Sequence, residues 1–204
     1  MCGTRVLGFG RISHEVARVL ESCRVRVAVF DSDITRPVAA HEEGFLTGRS
    51  LDDLVEAHRP QLVFGCVGSR SFGLAQARLL PPRSVLVSTT SRNYESGPDE
   101  LRAGSTTETD RGVLGTGYQL AGGPEVCVLR RGMPINFHYA ESLSNRYVDL
   151  VLASLAVGAV ALASRDKRLR PGHNLAASNE ILAEAGIVDD YYRLYGPDTG
   201  GRRG

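Results

Sequence analysis

An α/β fold built on a doubly wound, mostly parallel sheet is what this sequence predicts, and three observations predict it. Short apolar, β-branched runs alternate with segments whose apolar residues recur at helical spacing. The runs are continuous rather than alternating, as strands buried on both faces must be. Each run closes on a glycine or a small polar residue, namely Gly8, Asp31, Gly68 and Thr89. Sheets of this kind bind ligands at the carboxyl ends of their strands, near the point where strand order reverses.

The elements follow in order. Arg5-Val6-Leu7 is a short strand, and Ile12, Val16, Val19 and Leu20 place a helix after it. Val25 to Phe30 reads as the next strand, stopped by Asp31-Ser32-Asp33. Pro37 to Glu43 forms a short helix ended by Gly44, and Leu51 to His58 a second one capped by Ser50. Gln61 to Val67 is a third strand, Phe72 to Leu80 a helix ended by two prolines, and Ser84 to Ser88 a fourth strand. From Gly112 to Asn136 the pattern changes to β-like runs separated by glycines: Val113-Leu114, Val126 to Leu129 and Pro134 to Asn136. A long apolar helix is expected from about Asn145 to Ala163, then a basic linker, then a helical tail over Asn174 to Tyr195. The predicted organisation is a domain over 1–164, a linker and tail over 165–195, and a disordered end over 196–204.

Composition narrows the function classes. The chain has 204 residues, 42% of them hydrophobic and 23% charged, which suits a globular core and excludes collagen or wholesale disorder. A net charge of +1 gives no global field for nucleic acid or anionic membranes, so neither is an expected partner. Among the basic residues Lys167 is the one lysine, and the arginines are scattered rather than clustered into a phosphate-binding patch. The four cysteines form no Cys-x-x-Cys pair and have no histidine at metal spacing, so no metal is expected. No signal peptide is visible, and a reduced cytoplasmic setting is expected. The apolar stretch from Tyr147 to Ala163 contains Asp149 and falls short of the ~20 residues a membrane span needs.

The chemistry-bearing motif is Gly8-Phe9-Gly10-Arg11-Ile12-Ser13, close to G-x-G-x-x-G and placed between a strand and a helix. Gly8 permits the tight turn. Gly10 lets a pyrophosphate approach the backbone, where the N–H groups of Arg11 and Ile12 and the helix dipole face it. Ser13 is small enough for helix–strand packing. Asp31 ends the next strand about 20 residues on, where a carboxylate accepts from ribose hydroxyls, with Ser32 beside it. That carboxylate repels a 2′-phosphate and favours NAD over NADP, although nearby Arg36 leaves NADP open. These features define a Rossmann-like, dinucleotide-binding domain.

With these residues in view, the chain resembles the NAD-binding domain of the S-adenosyl-L-homocysteine hydrolase family. More distantly it is similar to the cofactor domains of D-2-hydroxyacid dehydrogenases. The resemblance covers about residues 4–164 and runs through the glycine turn, Asp31-Ser32-Asp33, Gly44-Phe45, Val67-Gly68-Ser69-Arg70, Ser88-Thr89-Thr90-Ser91-Arg92, and Ile135-Asn136-Phe137 before the long helix. It implies a cofactor site that includes Val67, Gly68, Ser69, Thr89, Thr90, Ser91 and Asn136. The chain departs from the family at Ser13, at Ser69 and at Thr90-Ser91, where a histidine would stand. The family's substrate domain has no counterpart in these residues, so the resemblance implies fold and NAD but not the hydrolase reaction.

Catalytic candidates lie in the polar segment that follows. His138, Tyr139 and Glu141 would sit near the nicotinamide end, and a histidine oriented by a carboxylate can relay the proton that accompanies hydride transfer. Tyr118 is a further candidate acid. Cys66 and Cys127 read as inert small hydrophobes. His14, Arg70 and Arg92 are candidate contacts to phosphate or to a substrate carboxylate. The apolar helix over 145–163 carries Val148, Leu152, Leu155 and Val157 on more than one side, which predicts a homodimer packed through it. Two functions follow: an NAD-dependent oxidoreductase acting on a small molecule, or a non-catalytic NAD(H)-binding or sensing subunit of a larger complex.

Overall fold

The computed structural model describes residues 3–90, 95, 97–135 and 145–196. The predicted α/β class is what the chain adopts. Eight strands form one mixed, mostly parallel sheet: β1 (Gly3–Leu7), β2 (Arg26–Phe30), β3 (Leu46–Thr47), β4 (Leu62–Gly65), β5 (Ser84–Ser88), β6 (Ser105–Asp110), β7 (Thr116–Leu120) and β8 (Glu125–Val128). Their spatial order is β3-β2-β1-β4-β5-β8-β7-β6. From β3 to β8 neighbouring strands run parallel, while β7 and β6 are antiparallel additions at the far edge. The chain begins in the middle, winds outward through β2 and β3, and then crosses to β4 and β5 on the other side. The order therefore reverses between β1 and β4.

Helices cover both faces. Helices α1 (Arg11–Ser22) and α2 (Thr35–Glu42) lie on one face, where Ala17 and Ala40 pack with Val27, Val29, Phe9 and Phe45. Helices α3 (Leu51–His58), α4 (Leu74–Leu79) and α5 (Pro98–Ala103) cover the other face, where Val55, Ala77 and Leu101 join Leu7, Val63, Leu86, Tyr118 and Val126. Each of the larger buried side chains contributes about 1.5–3 kcal/mol of transfer free energy. The cap predicted for α3 is present, with Ser50 Oγ accepting from the Asp53 N–H at 3.1 Å.

Four details differ from the sequence reading. Val113 and Leu114 belong to a 3-10 turn over Gly112–Leu114, because the chain must reverse there between β6 and β7. Pro134 and Ile135 are not in a strand. The tail is two helices, α7 (Leu175–Glu184) and α8 (Ile187–Tyr195), separated where Gly186 takes a φ of 65°. β6 and β7 add an antiparallel hairpin that no apolar run announced.

By packing, the chain divides into two units, Met1–His138 and Tyr139–Gly204. The helix α6 (Asn145–Ala163) packs with α7 and α8 in the second unit. Ala161 and Ile181 are buried there, and Arg168 joins Asp166 (2.8 Å) and Glu184 (2.7 Å). Among the described residues no helix is long and apolar enough to cross a membrane.

Six non-glycine residues of the described chain have left-handed backbone, and all are arginines: Arg24, Arg59, Arg83, Arg130, Arg131 and Arg165. Arg24, Arg59 and Arg165 lie just past the ends of α1, α3 and α6.

Candidate functional site

The glycine turn is built as the motif requires. Gly8 has a φ of 92°, and a Cβ there would meet Val67 Cγ1 at 2.7 Å, so the position needs glycine for both conformation and space. Gly10 is the N-cap of α1, and no side chain caps that end of the helix or places an acid in its first turn. The backbone N–H groups at the start of α1 thus have no capping side chain among the described residues, an arrangement that suits an anion. Ser13, in the place of the third glycine, is fully buried, and its hydroxyl donates to the carbonyl of Gly10 at 3.0 Å. The hydroxyl is therefore satisfied at no cost to the close packing.

Asp31 is joined to this turn directly. One carboxylate oxygen accepts from the Phe9 N–H at 2.8 Å, and the other from the Asp33 N–H at 2.9 Å. Each oxygen keeps a further lone pair. The Arg36 guanidinium lies 3.8 Å from Asp31 and 3.5 Å from Asp33, and Nη1 would be 3.2 Å from a Cβ on Gly10. A carboxylate and a cation therefore flank the point where phosphate would approach. Thr35, donating to Asp33 through both hydroxyl and backbone N–H, holds the Asp33 carboxyl below its ordinary range. His14 hydrogen-bonds Glu43 through Nε2 at 2.8 Å and sets its ring edge against Phe9, so it braces α1 against the chain following α2.

The ends of β4 and β5 complete the row. Val67 lies over Gly8, which brings the chain after β4 beside the glycine turn. Thr89 donates through its hydroxyl to the Gly65 carbonyl at 2.9 Å and lies 3.1 Å from Cys66 Sγ. Burial pushes the Cys66 thiol up to about 11, so it is not a nucleophile at neutral pH. Burial raises Cys127 as well. Arg70 pairs with Glu100 beside Gly73 and Gly97.

Glu95, a residue the sequence reading missed, sits among these groups and is 1% exposed. One carboxyl oxygen accepts from the Gly68 N–H and from the Thr90 hydroxyl, the latter at 2.7 Å. Burial in an apolar surrounding raises its pKa. The available signal was Gly65. A glycine inside an apolar strand marks a close approach, and here the Glu95 side chain occupies the space of the missing Cβ.

Of the cofactor residues expected from the sequence, Gly8, Gly10, Arg11, Ile12, Asp31, Ser32, Val67, Gly68, Ser69, Thr89 and Thr90 all fall at the carboxyl ends of β1, β2, β4 and β5 or at the start of α1. Ser91 and Asn136, and the catalytic candidates His138, Tyr139 and Glu141, lie outside the described residues, as does Arg92. Tyr118 is a correction. It is 1% exposed on β7 within the core, which removes it as an acid at the strand ends.

No protein-family model matches the chain, and neither does any curated protein. Solved structures with similarity include dipicolinate synthase A chain from Bacillus subtilis (16% identity, TM-score 0.45, 50% of this chain and 34% of that one). A phosphoglycerate oxidoreductase from Vibrio cholerae gives 16% identity, a TM-score of 0.42 and coverage of 50% and 34%. A formate dehydrogenase from Granulicella gives 18%, 0.42 and coverage of 50% and 28%. The chain spans about a third or less of the length of these proteins.

Proposed function

We propose that this chain binds NAD(H) across the strand ends of its sheet and works as an NAD-dependent oxidoreductase on a small molecule. The observation that carries the reading is the coupling of the uncapped glycine turn to Asp31 through the Phe9 N–H. It sets an anion site and a ribose-accepting carboxylate on one rigid piece of backbone. In this reading the pyrophosphate meets the N–H groups of Arg11 and Ile12, the adenosine ribose meets Asp31 and Ser32, and the nicotinamide end lies along Val67, Gly68, Ser69, Thr89, Thr90 and Ser91. Asn136 would meet the carboxamide, and His138, with Tyr139 and Glu141, would handle the proton. Bound NAD supplies the hydride acceptor; the protein supplies position and proton transfer.

A second reading is a non-catalytic NAD(H)-binding or sensing subunit. It is favoured by the described titratable groups at the strand ends, since Asp31, Cys66 and Glu95 are all engaged within the protein. Oligomerisation belongs to both readings. α6 exposes Val151, Leu152, Leu155, Val160 and Leu162, each 58–68% accessible, and a second copy of the chain packed through this helix would cover them. A monomer by light scattering at micromolar concentration would count against the dimer.

The test of the shared premise is calorimetric titration of the purified chain with NAD. Saturable binding at micromolar to millimolar NAD is expected, and the absence of heat at millimolar concentration would remove both readings. If NAD binds, His138→Ala separates them: retained binding with lost turnover selects the enzyme.

A further inference from the structure

We infer that Glu95 is the positioning residue of the nicotinamide side of this cleft, tying the chain after β4 to the chain after β5 so that the two present one surface to the cofactor. The inference rests on the NAD-binding reading above and adds a residue to it.

β4 and β5 pair in register up to Gly65 and Ser88, and beyond that point the ladder ends. Just past it Thr89 donates to the Gly65 carbonyl through both its N–H and its hydroxyl, and further out the tie between the two segments passes to Glu95. Glu95 supplies four hydrogen bonds, three of them to the chain after β4. Its Oε1 accepts the Gly68 N–H on the β4 side and the Thr90 hydroxyl on the β5 side. Its own carbonyl oxygen accepts from the Ser71 and Phe72 N–H groups at 3.3 and 3.0 Å. Gly65 makes room for the side chain, since a methyl there would lie 2.8 Å from Glu95 Cβ and 3.1 Å from Cδ.

The other carboxyl oxygen points elsewhere. Oε2 is buried and has no hydrogen-bond partner among the described residues. Glu95 lines a cavity of about 10 Å³ together with Leu7, Val63, Phe72, Leu86 and Val87. An ionised oxygen is costly among such side chains, whereas a protonated one leaves the Oε1 acceptor intact. The neutral form is nearly the shape of glutamine. Glutamine should therefore replace Glu95 in this role, and a shorter or absent side chain should not.

The positioning acts at the end of the cleft remote from Asp31, which predicts a separation that general damage would not produce. ADP carries the adenosine and pyrophosphate groups that meet Asp31 and the glycine turn, but no nicotinamide. NAD and ADP affinities are measured by calorimetry on the full chain for wild type, Glu95→Gln, Glu95→Ala and Glu95→Asp, with thermal melts confirming that each variant folds. NAD affinity should stay within about threefold in Glu95→Gln and fall about tenfold or more in Glu95→Ala, with ADP affinity unchanged in both. Glu95→Asp, which cannot reach Gly68 and Thr90 together, should follow Ala and serves if the Ala variant does not fold. Equal loss of NAD and ADP in the folded variants would overturn the inference, as would NAD affinity that ignores residue 95. A wild-type chain that binds ADP but not NAD also refutes it. A wild type that binds neither removes the NAD reading itself and the inference with it.

Discussion

Gly65→Ala is a small change with a large predicted effect. The new methyl would occupy the space that the Glu95 side chain fills, 2.8 Å from its Cβ. The neighbour cannot swing aside into solvent, because Glu95 is 1% exposed and held by Gly68 and Thr90. Crowding of this kind costs about 1–3 kcal/mol. If the carboxyl is expelled instead, the Gly68 N–H loses its acceptor at about 1–3 kcal/mol and the Thr90 hydrogen bond goes at about 0.5–1.5 kcal/mol. The first route centres on about 2 kcal/mol and the second on about 3 kcal/mol. With an unfolding entropy of about 2.1 cal/mol/K per residue, the Met1–His138 unit has about 0.3 kcal/mol/K, so its Tm should fall by about 7–10 °C. Glu95→Gly alone removes the acceptor and should cost about 2 kcal/mol. In that background Gly65→Ala should cost almost nothing further, since all three atoms it approaches most closely belong to Glu95. A double-mutant cycle followed by circular dichroism reads the coupling directly. Additive costs within about 0.5 kcal/mol would show that the two residues do not share one space, and would refute the reasoning.

The remaining predictions concern charge and pH. Asp31→Asn keeps one acceptor oxygen and removes the negative charge, so affinity for NAD should fall several-fold while affinity for NADP, helped by Arg36, falls less or rises; an unchanged NAD-to-NADP ratio by titration would contradict the assignment. The Glu95 carboxyl is raised by burial, so between the ordinary value of 4.5 and its raised value the folded chain holds a proton that the unfolded chain has released. Stability is lost across that window as pH rises, at up to about 1.4 kcal/mol per pH unit, and the Tm difference between Glu95→Gln and wild type should widen from acid to neutral pH. A difference that stays flat would speak against a buried, proton-holding carboxyl. Asp166, held at about 2 by the Arg168 guanidinium and backbone N–H, contributes stability that is present above its ordinary value of 3.8 and lost as pH falls towards 2. Arg168→Ala should flatten that acid transition in a pH series of melts. A thiol reagent at neutral pH should label exposed Cys23 and spare Cys66, as mass mapping would show; rapid labelling of Cys66 would mean that its strand end opens.

The parts of the fold legible in the sequence are those where burial dictates residue type. After an exposed Arg26, β2 reads Val27-Ala28-Val29-Phe30 because a parallel strand with helices on both faces is apolar where it is covered. The glycine turn and Asp31 were legible because a tight strand-to-helix turn at φ 92° demands glycine, and the strand that ends beside it brings Asp31 to the Phe9 N–H. β6, by contrast, is Ser105-Thr106-Thr107-Glu108-Thr109-Asp110, and all but its first residue are exposed. It is a strand because β7 offers it hydrogen bonds, and no apolar pattern records that. Glu95 escaped for a related reason. Its partners are a backbone N–H 27 residues away and a hydroxyl five residues away, neither of which leaves a periodic pattern, and the one trace is the absent side chain at Gly65. Tyr118 looked available because it is polar, yet a tyrosine on an inner strand can bury its ring in the core, as this one does.

Three left-handed arginines leave a reserve of stability just before strands β2, β4 and β5, at the ends of the sheet opposite the glycine turn. Arg24, Arg59 and Arg83 have φ between 41° and 65°, a backbone shape that costs an L-residue about 1–2 kcal/mol and glycine almost nothing. Glycine at each would return part of that, offset by about 0.4–1 kcal/mol for the freer unfolded chain. The net is a few tenths to about one kcal/mol per site, and separate sites add. Three exposed turns could thus be relaxed to offset a destabilising change at the carboxyl ends of the strands, which gives an engineer room to alter the proposed cofactor site while the sheet stays folded.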